Sequence, residues 1–263
     1  MWSPDIHLNV YLYFQILYSF TSTWKGLGLS VLSAEDVRCL SLGISVLDNV
    51  FPSFEVGDFG VIYGSEALPF GFVLCVRCAM PADVGGLGSN VVFVDGGNVF
   101  NPYFVAEVSR SYNLDPRYVL ERIYVSRAFT AYQLSALILE RLGGFLEQCN
   151  AGLVFVSDIS RLFLDGDIPK KEAQDLFIKV CSALSEIASK KSRIVLATFT
   201  PDKSSRRGVF FEAALLGRSN VLIRFDRRGK MLRFSLLDHP KVKPFSLEIP
   251  TEDVPLTEFM EVV

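Results

Sequence analysis

FGVIYGSEALPFGFVLCVRCAM (59–80) decides the fold. Its first five residues, FGVIY, are a short apolar, β-rich run. From Phe70 to Met80 the chain is apolar over a length that suits a helix. The same alternation repeats downstream. VVFVD (91–95), IYVSRA (123–128), LVFVS (153–157) and RIVLATF (193–199) read as strands. Between them lie helical stretches at 101–112, 115–121, 130–149 and 170–190. Asp115 and Pro116 open the second of these as an N-cap and a first-turn proline would. The stretch 130–149 is amphipathic through Leu134, Leu137, Leu142 and Phe145. The stretch 170–190 carries Ala173, Phe177, Val180, Leu184 and Ile187 on one stripe.

Strands apolar on both faces and separated by helices predict a parallel sheet covered on both sides. The end of the chain differs. NVLIRFD (220–226) and MLRFSLLD (231–238) flank Arg227-Arg228-Gly229-Lys230 and read as a hairpin, with a further strand near 244–249. The expectation is one α/β domain, a mostly parallel sheet flanked by helices with an antiparallel C-terminal hairpin extension.

The chain has 263 residues, half of them hydrophobic, with 19 Gly and 12 Pro. That composition is globular and suits one domain with an extension. The net charge of −3 hides an asymmetry. Residues 190–243 hold 14 Lys/Arg against 4 Asp/Glu, while the remainder holds 12 against 25. A basic third on an acidic body points to a polyanion or an acidic partner, or to solvated strand faces. The 5 cysteines are odd in number and widely spaced, which argues for free thiols in a reducing cytoplasm. Cys75 and Cys78 form a C-x-x-C within an apolar helical run, with no second pair, and read as two cysteines on a buried face. His7 and His239 are too far apart in sequence to suggest a pair, so no metal site and no histidine-based catalysis is expected. Residues 8–20 (LNVYLYFQILYSF) are uncharged, yet too short to cross a bilayer as a helix, and no basic residue precedes them as in a signal peptide. They read as an arm that packs on this domain or on a neighbour. Residues 1–37 are thus an N-terminal extension, or the product of a mis-assigned start, and residues 38–263 the core.

LSLGISVLD (40–48) resembles the I-S-T-G-S-x-x-L-D that opens the cores of RadA-type recombinases. YNLDPRYVLERIYVSRAFTAYQ (112–133) is similar to that family's G-L-D-P-x-x-V-L-x-N-I-Y-V-A-R-A-Y-x-x-x-x-Q. The hairpin ending in LLDHP (236–240) also looks like the family. The resemblance runs over about 38–253 and implies a RecA-like core that binds and hydrolyses ATP.

The motifs for that chemistry are degenerate. A phosphate-cradling loop requires G-x-x-x-x-G-K-[ST], so that backbone N–H groups, a lysine and a hydroxyl meet the phosphates and magnesium. Here the segment is Gly64-Ser65-Glu66-Ala67-Leu68-Pro69-Phe70-Gly71-Phe72, and no lysine occurs between Lys25 and Lys170. Gly64 and Gly71 are the remnants, and Phe70 or Gly71 holds the lysine place. Relatives carry D-T-E-G after the next strand, whose glutamate activates water; this chain has Asp95-Gly96-Gly97-Asn98. The F-R-P-E-R of relatives reads Phe100-Asn101-Pro102-Tyr103-Phe104 here. The magnesium-side aspartate is displaced by one residue to Asp158, a shift that on a strand turns it to the opposite face, the alternative being that it recovers the role from the strand end. The Asn-Gln sensor is replaced by Ala197-Thr198-Phe199-Thr200. Phosphoryl transfer depends on positioning and charge, so no catalytic residue, no cofactor and no ATP binding are expected.

The resemblance implies that the DNA loop of the family falls at 200–220. Lys203, Arg206, Arg207 and Arg218 there are candidates for phosphates, and Phe210 and Phe211 for stacked bases, on a mobile loop. The bland reading is a solvated loop whose phenylalanines anchor it. The second DNA loop falls near Leu164–Ile168 and is acidic. No copy of the family's aromatic-x-x-alanine polymerisation peptide is present in residues 1–38. The expected function is a non-catalytic RadA paralogue, an accessory factor in recombination and repair, with a RadA-type recombinase or another paralogue and single-stranded DNA as partners and no membrane. The alternatives are a protein-only pseudo-ATPase scaffold in a RecA-like or KaiC-like assembly, or a divergent ATPase.

Overall fold

A computed structural model describes residues 38–250. His7, the apolar stretch 8–20 and the extension 1–37 lie outside the described residues. A two-stranded ribbon, β1 (Cys39–Leu40) and β2 (Phe54–Glu55), flanks the short helix α1 (Ser45–Asp48). The main sheet keeps the alternation of the sequence. Its parallel strands are β3 (Phe59–Tyr63), β4 (Asn90–Asp95), β5 (Ile123–Arg127), β6 (Ala151–Ser157), β7 (Ile194–Thr198) and β8 (Val221–Arg228). β9 (Met231–Asp238) and β10 (Phe245–Pro250) extend it antiparallel, β9 on β8 and β10 on β9. The order across the sheet is β10-β9-β8-β3-β7-β6-β4-β5. The expected α/β, RecA-like architecture with an antiparallel extension is therefore the one observed.

One face of the sheet carries α2 (Ala67–Cys78), α3 (Pro102–Ser111) and α4 (Pro116–Leu120). The Asp115 side chain accepts the Arg117 N–H as the cap of α4. The other face carries α5 (Ala131–Ala136), α6 (Leu142–Cys149), α7 (Lys170–Lys191) and α8 (Arg206–Leu216). The apolar stripe of α7 is buried as its period required. Cys75 and Cys78 are buried inside α2 as free thiols.

Three local expectations are corrected. The helix over 130–149 is broken by a π-helical turn, Leu137–Arg141. Ile138 inside that turn and Leu146 beyond it join the core, while Phe145 is exposed. The second correction concerns the start of α2, which is at Ala67, three residues after Gly64, and not at Phe70, so that Gly71 lies well inside the helix. The third is the 200–220 segment. It is chiefly the helix α8, capped by Ser205, whose Oγ accepts the Gly208 N–H at 2.9 Å. Asp202 in turn accepts Ser204 N–H and Ser205 Oγ–H, so the approach to the helix is itself hydrogen-bonded.

Candidate functional site

In an open parallel sheet, ligands are taken at the carboxyl ends of the strands, where loops converge and helix N-termini point. The degenerate motif residues gather there. Gly64, Ser65, Ala67 and Leu68 face Val99, Asp158, Thr198, Phe199 and Thr200 around a cavity of about 110 Å³.

The Gly64–Glu66 loop does not present its N–H groups to that cavity. Ser65 N–H donates to Asp226 Oδ1 and Glu66 N–H to the Phe225 carbonyl, both on β8. Ala67 N–H turns back to the Gly64 carbonyl at 3.2 Å, and Pro69 has none to offer. Glu66 is buried, its carboxylate held by Arg227 at 3.0 Å. Gly71 packs on Phe155, where an added Cβ would lie inside van der Waals contact with the ring.

The acidic groups are equally committed to the fold. Asp95, fully buried, accepts the N–H groups of Val99 and Phe100, the Ser157 hydroxyl and Arg127 Nε. Gly97, in the place of the family's glutamate, donates its N–H to Ser157 Oγ, and its carbonyl accepts Arg161 Nη1. Among the described residues Asp158 is the acid that lines the cavity, so of its two expected placements the strand end holds and the opposite face does not. It sits one residue past the end of β6, where strand alternation no longer applies. Its φ of +43° turns it over the sheet edge. Its N–H donates to Thr198 Oγ1 and its Oδ1 accepts Thr200 N–H. Burial pushes the Asp158 carboxyl above its ordinary value, against the opposing pull of Thr200 and Arg161.

These residues do not fit a nucleoside triphosphate with magnesium. A nucleotide needs a pocket of roughly 300 Å³ or more, and the space at the loop is about 110 Å³. The loop amides are engaged, no lysine lines that space, and Glu66 puts a negative charge at the head of the helix. The neighbouring groove of about 470 Å³ is larger, but is lined by Leu68, Phe72, Phe100, Tyr103 and Phe104 among others, with no charged side chain. Its lining is mostly apolar, with Asn98 and Asn101 as its amide side chains.

The candidate DNA residues do not form one surface. Lys203 and Arg206 are exposed at the carboxyl edge of the sheet. Arg207 is half-buried; its Nη2 donates to the Ile168 carbonyl and its guanidinium lies over Phe211. It thereby ties the two loop positions that the resemblance assigns to DNA to each other. Phe211 is 1% exposed and packs against Phe163 and Phe177. Its expected stacking on bases is corrected to a core role, since neither ring face reaches solvent. Phe210 is half-buried against the same cluster. Arg218 bonds Ser182 and the Ala214 carbonyl. It lies just past the other end of α8, about 18 Å from Arg206 by the helical rise. The Lys190, Lys191 and Arg193 end of the basic stretch lies at that far edge as well, because it precedes β7. What adds to Lys203 and Arg206 is the β8–β9 turn, with exposed Arg228 and Lys230, which runs past the end of β3.

Two features escaped sequence reasoning. Glu66 and Arg227 are 161 residues apart, and no local pattern joins them. The second is β5, at the sheet edge, where Tyr124 and Val125 are exposed beside Phe129, 64% exposed. Only the strand order reveals an edge.

Among the described residues no helix is long and apolar enough to cross a membrane. The profile of the Rad51 family matches residues 38–202. The DNA repair and recombination protein RadA of Cenarchaeum symbiosum (strain A) is 32% identical over 101 residues, 38% of this chain and 25% of that protein. The chain thus aligns with about a quarter of the length of that curated relative.

Proposed function

The chain belongs to the Rad51 family, and on that premise we propose that it is a non-catalytic RadA paralogue, an accessory factor in homologous recombination and DNA repair. It acts by contact with an active RadA-type recombinase and with single-stranded DNA, without ATP turnover. The observation that carries this reading is the closed Gly64–Glu66 loop. Its N–H groups are spent on β8, and a buried carboxylate stands where phosphate would need positive charge. Relief of one defect leaves the others. Purified protein is expected to show no ATP hydrolysis, with or without single-stranded DNA. Turnover above background that disappears in Asp158→Asn would sink the reading in favour of a divergent ATPase.

The protein contact is supported by β5, a strand edge unpaired among the described residues and flanked by exposed Tyr124, Val125 and Phe129. Such an edge is a ready template for a partner's strand. The DNA contact is confined to the carboxyl edge, through Lys203, Arg206 and Arg228. Three phosphates neutralised there give a log–log salt slope of about −2 for single strands, from ~0.7 per contact. The burial of Phe211 and the division of the basic residues between two edges favour a second reading, a protein-only scaffold. Fluorescence anisotropy at low salt separates the two, since a scaffold shows no binding.

A further inference from the structure

The cations at the carboxyl edge of the sheet differ from others in the basic stretch. Lys190, Lys191, Arg224, Arg227 and Lys241 each hold an acid of the fold. Lys203, Arg206 and Arg228 are exposed and hold none among the described residues. The acids beside them in sequence are already engaged. Asp202 accepts the Ser204 N–H and the Ser204 and Ser205 hydroxyls. Asp226 accepts Arg224 Nε and the Ser65 N–H. Like charges gathered at one edge repel one another and attract an anion.

Strand register brings the end of β10 to the same place. Arg228 pairs with Met231 across β8 and β9, and Met231 pairs with Pro250 across β9 and β10. Two strand spacings, about 10 Å, therefore separate Pro250 from Arg228. Residues 251–263, TEDVPLTEFMEVV, follow Pro250 and lie outside the described residues. They carry Glu252, Asp253, Glu258 and Glu261 and no Lys, Arg or His. Lys203 and Arg206 follow β7, the fourth strand from β10, so they lie about 19 Å along the edge. Thirteen residues span up to about 43 Å when extended, ample for that distance.

We propose that residues 251–263 dock along this edge of their own chain, with their carboxylates on Arg228 and Arg206. Single-stranded DNA then binds by displacing them, because carboxylates of the chain stand where its phosphates would. This rests on the DNA contact proposed above and adds its regulation. A tethered segment competes at an effective concentration of about 1 mM, so a docking constant of about 0.1 mM weakens DNA binding about tenfold.

The test uses the full chain. One variant carries Glu252→Gln, Asp253→Asn, Glu258→Gln and Glu261→Gln. A control carries Asp83→Asn, Glu121→Gln, Glu140→Gln and Glu186→Gln, exposed acids away from that edge, with the same change in net charge. In fluorescence anisotropy with labelled oligo(dT) at low salt, the tail variant is expected to bind about tenfold more tightly than the control. An equal gain in both overturns the proposal, since charge alone then accounts for it. A difference that vanishes on dilution of the protein assigns the edge to the tail of a second copy and overturns docking within one chain. Should no variant bind DNA, the DNA reading fails and a second readout decides the docking. The NMR lines of a synthetic 251–263 peptide should broaden on addition of the tail variant, and should sharpen again when that variant also carries Arg206→Ala and Arg228→Ala. No broadening, or broadening indifferent to both arginines, overturns the proposal whatever the DNA does.

Discussion

Gly71→Ala measures how far the phosphate loop has been given over to packing. By sequence, position 71 is one of two that would carry the lysine of a working loop. In the fold it lies in α2 directly over Phe155 of β6. An added Cβ would fall inside van der Waals contact with three ring carbons, the farthest at 3.2 Å. The ring cannot retreat. Phe155 is fully buried and stacked on Phe93 at 5.1 Å, and Phe93 is stacked on Phe72 at 5.5 Å. Two effects oppose each other. Alanine is the better helix former by about 1 kcal/mol. Overpacking a filled core costs about 1–3 kcal/mol, and a clash against a fully buried ring backed by Phe93 lies at the upper end. The net is a loss of about 2 kcal/mol, or about 4–8 °C in melting temperature for a domain of this size. Thermal and urea unfolding tracked by circular dichroism give the number. Removing ring atoms should relieve the clash, so Phe155→Leu combined with Gly71→Ala is expected to cost less than the sum of the single changes, by about 0.5–3 kcal/mol. A Gly71→Ala protein that melts at or above the wild type refutes the packing argument. Gly71→Lys should disrupt the fold before it restores any ATP chemistry.

The same geometry sets four more outcomes. Phe211→Ala is expected to cost about 3–5 kcal/mol as a core deletion, read from urea unfolding. Lys203→Ala with Arg206→Ala should leave stability within about 0.5 kcal/mol while flattening the salt slope of single-strand binding by ~1.4; an unchanged slope removes these residues from the DNA contact. Asp158 is raised by burial, so the folded state holds its proton more tightly than the unfolded one and the charged carboxylate weakens the fold. Asp158→Asn should therefore be more stable than the wild type near pH 7, with the gain vanishing as the pH falls through the folded and then the ordinary carboxylate range, where both states are protonated; a gain independent of pH contradicts this. Val125→Lys with Phe129→Asp, on the β5 edge, should weaken association with a RadA-type recombinase about tenfold or more, measured by calorimetry, with melting unchanged.

Much of the fold is written in local pattern. Runs such as VVFVD and LVFVS are apolar on both faces, and only a strand covered on both sides has use for that. The stripe from Ala173 to Ile187 has the period of one helix face. Asp115-Pro116 starts a helix because the side chain and the ring satisfy its first turn, wherever that helix then packs. The degeneracy of the ATP motifs is a matter of residue identity, and a lysine that is missing from the sequence is missing from every conformation.

The positions of side chains relative to one another were decided by the sheet. Lys203 and Arg218 look like members of one basic loop. The chain between them is a helix that runs back along the sheet, so they end at opposite edges. Phe210-Phe211 reads alike as a stacking pair or as an anchor, and packing against Phe163 and Phe177 selects the anchor. Asp158 kept its place at the cavity because the strand stops one residue before it, a boundary set by tertiary hydrogen bonds from Asp158 N–H to Thr198 Oγ1 and from Thr200 N–H to Asp158 Oδ1. The Glu66–Arg227 pair joins the loop after the third strand to the eighth strand. Periodicity carries information over a few residues, whereas strand order alone brings those two side chains together.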